Sequence, residues 1–132
     1  DRTQAITGRY NVATVALTKD NFSSTIDSND VVLIDFWASW CGPCQRFAPI
    51  YEDAGERHTD VTFAKVDTED QQELSAGLEI TSIPTIMAFR NGYLVFRQSG
   101  LLQGRQLDEL IEKVKEIDVE DLKRQAAAQK QG

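Results

Sequence analysis

Cysteine and histidine are nearly missing from this chain: two of the first and one of the second among 132 residues. Two cysteines cannot build a scaffold in which several bridges stand in for a hydrophobic core. Together with one histidine they also fall short of the about four ligands of a structural zinc site, so no bound metal is expected. No stretch approaches the roughly 20 apolar residues that cross a bilayer as a helix. Cationic side chains are in deficit, with 14 Lys and Arg against 21 Asp and Glu and a formal net charge of −7. That balance repels nucleic acid and anionic membranes, and neither is expected as a partner. Internal repeats and Gly/Ser-rich linkers are absent. The opening residues, "DRTQAITGRYN", lack the apolar core of a signal peptide. A cytoplasmic location is expected, although a chain that opens on Asp1 rather than Met leaves earlier processing open.

What is present is an ordinary globular composition, 41% apolar and 27% charged, at a length suited to one domain with a single core. Residues 1–11 read as a loose polar extension, 12–117 as the domain, and 118–132 as a tail without a clear apolar stripe, either a fraying helix or disordered. "VATVAL" (12–17) predicts a short strand, and Thr18 an N-cap for a helix around Phe22 and Ile26. "VVLIDFWA" (31–38) is a near-continuous apolar run rich in β-branched and aromatic residues. That is the pattern of a central, parallel strand buried on both faces. Residues 42–58 follow as a helix, with Pro43 in the first turn, where its missing N–H costs nothing, and Pro49 further in, where a kink is expected. "VTFAKV" (61–66) is a strand, and a helix near 70–77 ends at Gly77. "TIMAFRNGYLVFRQ" (85–98) is a hairpin turning on Asn91-Gly92. Residues 105–117 place Leu107, Leu110, Ile111, Val114 and Ile117 on one helical face. The order β-α-β-α-β-α-β-β-α predicts an α/β fold, a mixed sheet with helices on both faces.

Both cysteines lie in "WCGPC" (40–44). A bridge closing so small a loop constrains the unfolded chain by only about 2 kcal/mol. Such a bond is better suited to opening and closing than to stapling. At a helix start, positions i and i+3 share a face and lie within disulfide reach. Cys41 falls among unsatisfied backbone N–H groups at the positive end of the helix dipole, which favours its thiolate over the thiol. The thiolate is the attacking species in disulfide exchange. Cys41 is therefore expected to face solvent and attack, and Cys44, one turn inside and shielded, to resolve the mixed disulfide. A metal site and two inert core cysteines are the alternatives. The first lacks ligands, and the turn-forming Gly42-Pro43 argues against the second.

Asp35 interrupts the most apolar run, sharing a face with Leu33 and Trp37. Burial disfavours its charged form and raises its pKa. Two readings follow: a proton acceptor beneath Cys44, or a buried aspartate satisfied by backbone or water. Lys65 also lies in an apolar strand. It either approaches Asp35 or carries its head out to solvent. His58, in the polar "GERHTD", reads as a solvated surface residue.

The segment "VLIDFWASWCGPCQRFAPI" resembles the active-site segment of thioredoxins, and the match continues through "FAKVDTED", "SIPTIMAFRNG" and "SGLLQGRQLDELIE", about residues 12–117. The resemblance implies the thioredoxin fold and a protein-disulfide reductase that works as a monomer on disulfide-containing proteins. It implies no bound cofactor, with electrons supplied from NADPH by a thioredoxin reductase. Asp35 and Lys65 match the family's buried acid and its lysine partner, and Pro49 the proline that kinks the active-site helix. Pro84 matches a cis-proline facing the cysteine pair, and Ile83 the residue whose backbone pairs with an extended substrate. Trp40, Gly42, Pro43, Ile83, Pro84 and Gly100 would form the docking surface; simple packing is the other reading of Trp40. Gln45, Ser82 and Ser99 depart from the common pattern, where Lys or Arg, Gly and an apolar residue are usual. A disulfide oxidant or isomerase, and a binding module using the apolar surface and the tail, are the competing functions.

Overall fold

The computed structural model describes residues 13–131. At its centre is β2 (Val31–Trp37), buried along nearly its whole length. It is flanked by β3 (Thr62–Asp67), parallel to it, and by β4 (Thr85–Arg90), antiparallel. With β1 (Val15–Ala16) and β5 (Tyr93–Ser99) at the edges, the sheet order is β1-β3-β2-β4-β5. The continuous apolar run in β2 has a simple cause: both of its faces are covered. Val31 and Leu33 enter one core with Phe47, Tyr51, Phe63, Ile86, Leu107 and Ile111. Val32, Ile34 and Phe36 enter the other with Leu17, Ile26, Val66 and Met87.

Helices α2 (Gly42–Arg57) and α4 (Gly104–Glu116) cover the first face. Leu107, Leu110, Ile111 and Val114 are buried along α4 as the spacing predicts. Its first turn is closed by a capping box between Gln103 and Gln106. Helices α1 (Phe22–Ser28) and α3 (Gln72–Gly77) lie toward the second core, through Phe22, Ile26 and Leu74. The hairpin turns on Asn91 (φ 49°) and Gly92 (φ 86°), both left-handed, as a two-residue turn compatible with strand twist requires.

Two expectations change, and a third that was left open is decided. The first strand shrinks to Val15 and Ala16, an exposed edge pair; Val12 and the expected N-terminal extension lie outside the described residues. Thr18 does not cap α1. It opens the preceding turn: its carbonyl accepts from Asn21 and Phe22 N–H, and its hydroxyl accepts from Asp20 N–H at 3.1 Å. Asn21 occupies the cap position, but its side-chain oxygen is taken by Thr18 N–H at 2.7 Å. The C-terminal segment, for which a fraying helix and disorder were both open, is a helix, α5 (Val119–Gln131). Val119 is buried, Lys123 Nζ sits 4.7 Å from the centre of the Tyr93 ring, and pairs Glu120–Lys123 and Asp121–Arg124 run along its surface. Its apolar stripe is too thin to recognise from the sequence because only the first residue reaches the core.

Candidate active site

The chain leaves β2 at Trp37 and enters α2 through Cys41, the helix N-cap. Pro43 occupies the first turn, and Pro49 lies inside the helix, which continues to Arg57. The Cys44 N–H donates to Cys41 Sγ at 3.2 Å, one of the orphan helix donors turned onto sulfur. The two cysteines are joined in a disulfide, with Cα atoms 5.2 Å apart. A donor aimed at Cys41 Sγ favours negative charge there once the bridge opens.

Exposure does not divide the cysteines as the sequence predicts. Cys41 is 5% exposed and Cys44 3%. Ala38 clusters with both cysteines, and Trp37 and Ile83 pack against that cluster. Position distinguishes them instead. Cys41 stands at the helix mouth, its Sγ 3.8 Å from the Ile83 carbonyl oxygen and beside Trp40, which is 67% exposed. Cys44 is one turn deeper and lines a cavity of about 110 Å³ together with Lys65 and Ala48.

The Ile83–Pro84 peptide bond is cis, and Ile83 packs against the cysteine pair. Gly100, with φ 98°, donates its N–H to the Pro84 carbonyl at 2.8 Å, tying the end of β5 to this loop. The departures Ser82 and Ser99 meet: their hydroxyls are 2.8 Å apart, and Thr85 Oγ1 donates to the Ser82 carbonyl at 2.6 Å. Trp40, Gly42 and Pro43 adjoin the cysteines in the chain; Trp40, Pro43 and Gly100 are exposed, Gly42 and Ile83 half-buried, and Pro84 buried.

Asp35 is 1% exposed, and neither carboxylate oxygen has a hydrogen-bond partner among the described residues. Burial pushes its pKa up from 3.8 to about 7, against the pull of Lys65 and with a smaller push from Glu52. Lys65 lies directly opposite Asp35 in the β2–β3 register. Its ammonium nevertheless pairs with Glu52, at 3.9 Å, and stands 5.1 Å from the centre of a Trp37 ring. Glu52 was not singled out from the sequence. The signal was available: it follows Cys44 by eight residues, two helical steps of four on one stripe. His58 is also not the solvated residue expected. Its side chain is 15% exposed, bonds Asp108 at 2.7 Å and stacks on Phe63. Among the described residues, no group of three or more His, Cys, Asp or Glu is placed to hold a metal ion.

The thioredoxin family model matches residues 13–116, most of the chain. This chain belongs to the thioredoxin family. A putative thioredoxin 2 from Streptomyces coelicolor is 46% identical over 117 residues, which cover 89% of this chain and 87% of that protein. Among solved structures, a Plasmodium falciparum thioredoxin superposes with a TM-score of 0.69 at 39% identity, covering 75% of this chain and 97% of that one. Another match comes from a study of thiol resolution in yeast mitochondrial 1-Cys peroxiredoxin via glutathione/thioredoxin systems. Its TM-score is 0.71 at 28% identity, over 77% of this chain and 96% of that one. Family membership and the bridged pair together make this thioredoxin a protein-disulfide oxidoreductase that acts by dithiol–disulfide exchange through Cys41 and Cys44.

Proposed function

We propose that this thioredoxin works in the reducing direction on protein disulfides and is recycled by a thioredoxin reductase that draws on NADPH. The carrying observation is Cys41 at the N-cap of α2, with the Cys44 N–H directed at its sulfur. In the reduced protein, the Cys41 thiolate attacks one sulfur of a substrate disulfide. That S–S bond breaks, a Cys41–substrate bond forms, and the first substrate thiolate leaves. Cys44 then gives its proton to the Asp35 carboxylate and attacks Cys41 Sγ. The mixed disulfide breaks, the second substrate thiolate leaves, and the 41–44 bridge holds the oxidised state. Two electrons pass from the dithiol to the substrate.

Asp35 suits the acceptor role because a base with a pKa near the working pH is both partly ionised and strong enough to take a proton. Lys65, across the register, balances the charge that Asp35 then loses and regains. An extended substrate segment would pair with the backbone of Ile83, as an added strand, while Trp40, Gly42, Pro43, Pro84 and Gly100 shape the apolar surround. A reducing compartment such as the cytoplasm fits this direction of flow, and subcellular fractionation tests it.

The deciding experiment is coupled turnover with NADPH, a thioredoxin reductase and insulin as the disulfide substrate. NADPH oxidation dependent on both cysteines is expected. A pair that accepts no electrons from the reductase, or that stays reduced against a mildly oxidising glutathione buffer, overturns the reductase reading in favour of an oxidant.

A further inference from the structure

Lys65 makes an unexpected choice of partner. Asp35 sits opposite it, buried, with two carboxylate oxygens that bond nothing among the described residues. An unpaired buried carboxylate is costly as an ion, and an adjacent ammonium would ordinarily turn to it. The ammonium is instead 3.9 Å from Glu52 Oε2. Glu52 is in turn held by Thr14, whose hydroxyl donates to the same oxygen at 2.9 Å. Thr14 immediately precedes β1, so the anchor comes from the far edge of the sheet.

We propose that Glu52 is a positioning residue for this exchange site: clamped by Thr14, it holds the Lys65 ammonium away from Asp35 and so sets how readily Asp35 takes and returns the Cys44 proton. This rests on the reading of Asp35 as the proton acceptor. Two effects of Glu52 act in the same sense. Its negative charge draws Lys65 off Asp35, and it opposes a second negative charge nearby. Both keep the Asp35 proton in place near neutral pH. The titratable groups that act on Asp35 are Lys65 from β3 and, from α2, Tyr51 and Glu52. Tyr51 is committed elsewhere, its hydroxyl donating to the Ala64 carbonyl at 2.8 Å. Glu52 and Cys44 share one stripe of α2 through Ala48, and Ala48, Cys44 and Lys65 line one cavity.

Reduced protein mixed rapidly with Ellman's reagent releases two thionitrobenzoate anions. The first reports attack by Cys41, the second resolution by Cys44. The readout is the pH midpoint of the second phase in the parent, Glu52→Gln, Glu52→Asp, Asp35→Asn and the Asp35→Asn, Glu52→Gln pair. Glu52→Gln is expected to lower the midpoint by roughly half to one pH unit, as loss of a nearby like charge should. Glu52→Asp should restore most of it, and the double variant should match Asp35→Asn. A merely structural role for Glu52 would not move a midpoint. The proposal is overturned if Asp35→Asn moves the midpoint and Glu52→Gln does not, or if Glu52→Gln has the same effect with Asp35 absent. If Asp35→Asn leaves the profile unchanged, the acceptor reading fails first and takes this proposal with it.

Discussion

Replacing Asp35 by Asn should stabilise the oxidised protein in alkaline solution, and the size of the gain is set by the burial of one carboxyl. In the folded chain that group holds its proton up to about pH 7, whereas unfolded it loses it near 3.8. The folded state therefore binds more protons than the unfolded state between those values, and stability falls as pH rises through the window. The contribution is fully present below about pH 4 and gone above about pH 7. A difference of about three pH units at about 1.4 kcal/mol each makes this roughly 4 kcal/mol. Asn carries no charge to desolvate, so the variant lacks this slope. Urea unfolding followed by the fluorescence of Trp37 and Trp40, at pH steps from 4 to 9 (chosen to bracket both pKa values), would compare the two proteins. The variant should gain on the parent progressively from about pH 4, leading it by roughly 4 kcal/mol once above about pH 8. Parallel pH dependences in parent and variant would refute the reasoning, because they would mean that Asp35 ionises as readily folded as unfolded.

Other outcomes follow from single contacts. Gly55→Ala should destabilise by about 1–3 kcal/mol in urea titration, since a Cβ there would come within 2.8 Å of the Ala13 carbonyl oxygen and 3.2 Å of its Cβ. Trp40→Ala should lower kcat/KM for insulin reduction severalfold with little change in unfolding midpoint, since the ring is 67% exposed and has little packing to lose. Asp108, whose carboxyl is held below its usual range by hydrogen bonds from His58 and then Arg57, should contribute stability at neutral pH that disappears in acid. Chemical denaturation should show Asp108→Asn weaker than the parent near neutrality, with the gap closing as pH falls through the folded carboxyl's range.

The parts of the fold that were legible are those whose cause is local. The unbroken apolar run of β2, Asn91-Gly92 in the hairpin and the three- and four-residue spacing of Leu107, Ile111 and Val114 each carry their own explanation. The cysteine pair was legible for the same reason, because a helix start directly after a buried strand dictates both its geometry and its electrostatics. Choices among distant partners were not. Nothing near Lys65 in sequence says that it will turn to Glu52 rather than to Asp35, since Glu52 arrives from α2 and its anchor Thr14 from the segment before β1. The low exposure of Cys41 depends on Ile83, forty-two residues away. His58 looked solvated because its cover, Asp108 and Phe63, comes from other elements. In α5 the pattern itself was thin: Val119 reaches the core while Leu122 is 43% exposed.

The position of β2 has a consequence for how the chain is made. Both of its ladder partners follow it in the sequence: β3 arrives after one helix, but β4 waits until residue 85 has been added. A growing polypeptide that has emerged only as far as α3 therefore carries its most water-averse strand with one edge bare. Such an edge is a template for wrong pairing. The turn at Asn91-Gly92 shortens that exposure, because β5 folds back on β4 through local contacts and the late arrivals join as one preformed unit.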